Sequence, residues 1–329
     1  MRTLAWLAAA LFLLYSAWWV LGSRAALWGA ETALSDLRAS GRGDFASVSV
    51  AGYPSRFDLT VDRPALANPG SGLAWSAPFL QVFALAYLPN RVIAVWPHEQ
   101  TLTLGPETLR IRSDDMRASA TLGLSRALPL DHLTFVAQGL RAEAAPGGGT
   151  LSATSLRFAT RRSAGNAGAH DIALAAGGLL PGGFALPATV AGKPAALRID
   201  TSAAFSGPLD LNAAGGPPAL TALTLNALDL TWGAVRLAGA GELTVTPSGH
   251  PDGRIDLTLA DWRSGIAAAA ALGLIRPELV PTWTNILAEI STSGPDPATV
   301  TLPLIFRGGL VFLGPLPLGP APVLPGYRQ

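Results

Sequence analysis

The chain has 329 residues, 49% hydrophobic and only 14% charged, with a formal net charge of +1. This composition excludes a disordered chain and a protein that gathers nucleic acid by bulk positive charge. The absence of cysteine excludes disulfides, thiolate nucleophiles and Cys-ligated metal centres.

Thr3 to Gly22 reads TLAWLAAALFLLYSAWWVLG, about twenty residues without a charge. As a helix rising about 1.5 Å per residue, it would cross the roughly 30 Å hydrocarbon core of a bilayer. Arg2 precedes it and Arg24 follows, with Trp18 and Trp19 near the far end, where amphipathic rings favour the headgroup zone. A cleaved leader is the rival reading. However, its apolar region normally covers about 7–15 residues, and the best cut here, after Gly22 with Val20 at −3, fits a small-x-small site poorly. We therefore expect residues 1–24 to anchor the protein in a bacterial inner membrane, with the body in the periplasm.

Ala25 to Arg38 carries Leu27, Ala30, Leu34 and Leu37 at helical spacing, and Ser40, Gly41 and Gly43 stop it. Residues 25–44 thus read as an amphipathic helix and linker. From residue 45 the period changes to two. Phe57, Leu59 and Val61 alternate with Asp58, Thr60 and Asp62, and the pattern recurs at 102–104, 109–112, 172–174, 197–200, 209–211, 223–225, 243–246 and 255–259. Gly, Pro and Asn clusters punctuate these runs, as at 68–70, 147–149, 215–218 and 251–253. Clean alternation predicts antiparallel meanders with one wet face. The expected fold is mainly β: a large curled antiparallel sheet over residues 45–329, as a trough or a partly open barrel or sandwich.

A helical insert is expected over 261–291, with Asp261 able to N-cap a helix from Trp262 and Pro277 or Pro281 opening a second. Such an insert should cover one end of the sheet. Strand grammar returns at 300–302 and continues from 305 to 313, ahead of a proline-rich tail over 315–325.

Three stretches carry a resemblance: Gly52 to Leu59; Ala77-Pro78 with Ala84 to Asn90 and Val92 to Pro97; and Gly308 to Gly319. They resemble an uncharacterised family of bacterial envelope proteins, domain-of-unknown-function family 2125, although Ser55 stands where the family favours a larger, often aromatic residue. The family brings no established activity. More loosely, the plan of one N-terminal span and a long β sheet is similar to AsmA-type envelope proteins, which are thought to accommodate lipids. That likeness is one of architecture alone.

The search for chemistry finds no catalytic constellation, cofactor motif or metal-ligand spacing. His98, His132, His170 and His250 are scattered and read as surface or loop residues, and Gly239-Ala240-Gly241 leads into a strand, not a helix. The segments around Pro54–Arg56 and Tyr87–Trp96 offer the candidate ligand-binding residues. Arg56 would meet a lipid phosphate, while Trp75, Tyr87 and Trp96 would mark the mouth of a groove. The plainer reading makes Pro54 and Pro89 strand-end bends, Asn90 a turn residue and the aromatics core packing. The expected function is lipid or hydrophobic-ligand handling in envelope maintenance. The alternative is a non-enzymatic envelope scaffold. Residues 3–22 would partner the inner membrane, phospholipid and other envelope proteins are the further candidate partners, and nucleic acid is not expected.

Overall fold

Nothing in the sequence breaks a helix between Arg2 and Ala39, and in the computed structural model α1 runs unbroken over Arg2–Ala39, 38 residues. The apolar run and the amphipathic stretch after it are therefore one rod. The structure describes every residue except 1, 69, 145, 146, 213–215, 217, 293–295, 315, 325, 328 and 329. The turn clusters expected at 68–70 and 215–218 thus lie partly outside the described residues. The expected fold class holds: mainly β, in a large antiparallel sheet not closed into a barrel, with a long apolar N-terminal helix and a short helical segment near the C-terminus. The chain divides into two units, residues 1–122 with 139–148, and 123–138 with 149–329.

In the first unit the strands are β1 (Gly43–Asp44), β2 (Ser47–Ala51), β3 (Arg56–Asp62), β4 (Ala65–Asn68), β5 (Leu73–Ser76), β6 (Phe79–Leu85), β7 (Leu88–Val95), β8 (Glu99–Leu104), β9 (Glu107–Arg112), β10 (Asp115–Leu122) and the last residues of β11 (Leu130–Ala144). They form two antiparallel ladders, and the chain visits each largely two strands at a time. One runs β2-β3-β6-β7-β10 and the other β1-β4-β5-β8-β9-β11. A buried amide joins them: Gln100 on β8 accepts from Trp75 Nε1 (2.8 Å), and its own Nε2 meets Met116 Sδ on β10 (3.1 Å). α1 packs on β1, β2 and β3, covering strands that begin both ladders. Asn90, read as a turn residue, instead sits within β7, where its side-chain amide donates to Leu122 O (2.9 Å) and ties β7 to the end of β10.

The second unit is a meander. After the first part of β11, β12 (Thr150–Arg162), β13 (Ala169–Gly182), β14 (Ala195–Phe205), β15 (Leu220–Trp232), β16 (Val235–Val245), β17 (Pro251–Ala260), β18 (Thr299–Arg307), β19 (Leu310–Leu313) and β20 (Leu316–Pro320) each pair with the next. Among the described residues β20 has no pairing with β12. In β15, Leu225 and Leu228 are three apart, which would send them to opposite faces. A bulge between them absorbs the extra residue and keeps the leucines in phase. Between β17 and β18 come α2 (Trp262–Ala271), a 3-10 turn at Pro277–Leu279 and α3 (Val280–Thr292), much as the insert was expected.

Three further local expectations are corrected. Asp261 adopts a left-handed backbone (φ 51°) and makes no side-chain cap; only its carbonyl engages the helix, accepting from Gly265 N. Leu209–Leu211 is not a strand but a loop segment tied by Leu130 N to Leu209 O and Leu211 N to Ala127 O. His170 is not a surface residue: it is fully buried on β13, with Nδ1 at 3.2 Å from Thr160 Oγ1, its ring edge-on to Phe205, and Nε2 unpaired. Burial, and then the nearby Arg162, hold its pKa below the usual imidazole value, against the opposing pull of Asp171 and Asp131. The unfolded chain therefore takes up this proton first as pH falls. The stability contributed by neutral His170 is complete above about pH 6.5 and declines as pH drops toward the depressed pKa. Unfolding of the full chain in micelles at pH 7.5 and pH 5 should show this loss, and His170→Gln should reduce the difference between the two pH values.

Candidate functional site

The apolar face of the second unit is unevenly covered. Along β16 the inward positions Leu237, Gly239, Gly241, Leu243 and Val245 are only half-buried, while their neighbours Arg236, Ala238, Ala240, Glu242 and Thr244 are exposed. A dry core exists at one end, where Val190, Ala195, Trp232, Val235 and Ala268 pack together. Beside it, Trp262, Ile266, Leu287, Val300 and Leu302 join the helices to the sheet. Trp262 is fully buried and its Nε1 donates to Pro297 O (3.2 Å), so it clamps α2 to the segment entering β18.

Between helices and sheet lies a cavity of about 440 Å³. Cross-strand rows make its floor, since Leu237 faces Leu259 and Leu259 faces Val300, while Leu257 faces Leu302. Gly239, opposite Leu257, gives that leucine its place: a Cβ there would fall 2.7 Å from Leu257 Cδ2. Ile266 of α2 and Trp283 and Leu287 of α3 form the cover, with Leu313 and Leu318 at one side. Leu274, Ile275, Arg276 and Leu279 come from the connection between the helices. Leu274, Leu279 and Leu318 are exposed, leaving an apolar rim. Among the described residues Arg276 is the one charged lining residue, held exposed just before Pro277 in the extended conformation that a following proline favours.

Chemically, such a site can take an aliphatic group and offer one guanidinium at its edge. It carries no nucleophile–base pair, and among the described residues no group of three or more His, Asp or Glu side chains converges.

The residues singled out from sequence lie in the first unit. Arg56 pairs with Asp58 (2.9 Å) and sits over the Phe83 ring. Tyr87 is exposed in the β6–β7 turn, at the same ladder end as Arg56, where Ala86 N donates to Ser55 O. Trp75 lies on the other ladder, bound to Gln100, and Trp96 follows β7 with its amide on Met116 O. The structure thus pairs Arg56 with Tyr87 by position, and links Trp75 to Trp96 through Gln100 and Met116. Sequence reasoning passed over the leucines of the cavity. The available signal was the cluster Leu274, Ile275 and Leu279 around Arg276, apolar residues in a connection where polar ones are usual.

Residues 19–322 match a bacterial family described as an uncharacterized protein conserved in bacteria (DUF2125). The chain belongs to this family. No curated protein and no solved structure matches it. As a member of this bacterial family it carries one candidate N-terminal membrane-spanning helix, a feature a signal sequence would share.

If Trp262 clamps the cover as its burial implies, Trp262→Ala should cost about 3–5 kcal/mol. Urea unfolding followed by circular dichroism would register that loss.

Proposed function

We propose that this DUF2125 protein is held in the inner membrane by α1 with its body in the periplasm, and that the second unit shelters the acyl chain of a lipid against its sheet. The observation that carries this reading is the cavity under α2 and α3, where thirteen of the fourteen described lining residues are apolar and the remaining one is Arg276. Its volume falls within the roughly 300–1,000 Å³ common for small-molecule sites. Aliphatic walls reward aliphatic length, at about 0.8 kcal/mol for each methylene withdrawn from water. The guanidinium at the rim suits a carboxylate or phosphate head, which it can hold with paired N–H donors. The half-buried face of β16, with Leu243 and Val245 beyond Leu237, extends the same apolar character past the cavity.

A scaffold role is the second reading, and the exposed Leu274 and Leu318 favour it, since apolar side chains at a surface suit a protein partner.

The two readings separate on ligand length. In a fluorescent fatty-acid displacement assay, affinity should rise by about fourfold per added methylene until the cavity is filled. Leu318→Trp, which narrows the rim, should weaken binding at least tenfold without unfolding the protein, and Arg276→Gln should weaken anionic lipids more than uncharged ones. Affinity independent of length, or unchanged in Leu318→Trp, would rule out the lipid reading and leave the scaffold.

A further inference from the structure

The first unit fixes how deep its own loops would sit if α1 crosses a bilayer, and this rests on the membrane reading just given. Tyr15, Trp18, Trp19 and Gly22 share one face of α1, and that face is joined to the β2–β3 and β6–β7 turns. Tyr15 OH donates to Pro54 O (2.9 Å), Trp18 Nε1 to Ala86 O (3.2 Å) and Trp19 Nε1 to Arg56 O (2.8 Å). Ser16 Oγ meets Tyr53 OH at 2.8 Å, Trp19 stacks edge-on to Tyr53, and Gly22 admits the Phe57 ring. Ahead of Tyr15 the uncharged part of the helix is Thr3 to Leu14, bounded by the charge of Arg2. Twelve helical residues reach about 18 Å, well short of the roughly 30 Å hydrocarbon core. The span must therefore include the residues up to Gly22, and the turns fastened to them go with it.

We infer that the β2–β3 and β6–β7 turns form a collar immersed in the outer leaflet around α1, with lipid acyl chains and headgroups as its partner. Tyr15 lies seven residues before Gly22, which sets the immersion at about 10 Å. Two independent features suit that medium. The exposed side chains at this end include Tyr53, Tyr87 and Leu88, an aromatic and aliphatic set typical of the interfacial belt. The backbone of the turns is also unusually well paired for loops. Carbonyls of Gly52, Pro54, Ser55, Arg56 and Ala86 all accept hydrogen bonds, from Arg56 N, Tyr15 OH, Ala86 N, Trp19 Nε1 and Trp18 Nε1. Non-helical backbone survives at membrane depth only when its polar groups are satisfied from within.

A chain without cysteine allows a direct test with the full protein in phosphatidylethanolamine–phosphatidylglycerol vesicles. Spin labels at Leu11→Cys on the free helix, Tyr87→Cys and Leu88→Cys on the collar, and Ala46→Cys at the opposite end of the same ladder report collision with oxygen and with a water-soluble nickel chelate. The collar expectation is an oxygen-to-nickel ratio at 87 and 88 close to that at 11 and several-fold above that at 46. A lipid-like ratio at 11 with water-like ratios at both 87 and 88 would overturn the collar and keep the span. A water-like ratio at 11 would overturn both.

Discussion

An antiparallel sheet with one apolar face must cover that face, and a ladder that does not close cannot cover it with itself. In the second unit this constraint is met locally. The α2–α3 insert and the segment carrying Val190 cover the end near Trp232 and Val235, while the rest of the face along β16 stays half-buried. The bulge in β15 belongs to the same logic, since it keeps five large apolar residues from Leu223 to Trp232 on one side despite the misfit spacing. Every side chain placed on that face adds to the demand for cover.

The first unit answers a related demand at a different place. Its edge strands are approached by α1, and the helix does more than shield them. The aromatic rings that suggest a headgroup zone in the sequence use their polar tips to bind loop carbonyls. A Trp or Tyr with its ring against apolar matter and its N–H or O–H on a carbonyl loses nothing by leaving water. The same residues can thus suit an interfacial position and fasten a domain to its helix.

Period-two alternation was the strongest signal available, and the strands at 57–61, 109–112, 197–200 and 255–259 follow from it directly. Where it failed, the reasons are physical. Leu209–Leu211 has the alternation of a strand, but a short run pairs only if a neighbouring strand is free to receive it. His170 was legible in principle, because it precedes Ile172 and Leu174 at the same parity and so belonged to their side of β13. Its polarity alone points the other way, to the surface. Asp261 shows the converse: a good capping residue type does not cap when tertiary packing sets its backbone left-handed. The cavity was the least legible feature, since empty volume belongs to no residue and depends on how far apart the helices and strands finally sit.

That volume still has an origin in composition. Where the second unit is dry, Trp232 and Trp262 supply the bulk that fills the space between helix and sheet. Small residues line α2 there, Gly265 and the alanines after it, and a Cβ built at Gly265 would already lie in ordinary van der Waals contact with Leu259 and Val235. Beyond Ile266 the floor is leucine and valine and the cover is carried by the longer connection through Arg276, with Trp283 the one aromatic lining residue. Aliphatic chains on the two surfaces leave a volume of about 440 Å³ between them. Under the lipid reading proposed above, an acyl chain laid between those walls would gain the dispersion contacts that the two surfaces do not give each other, with Arg276 at its head.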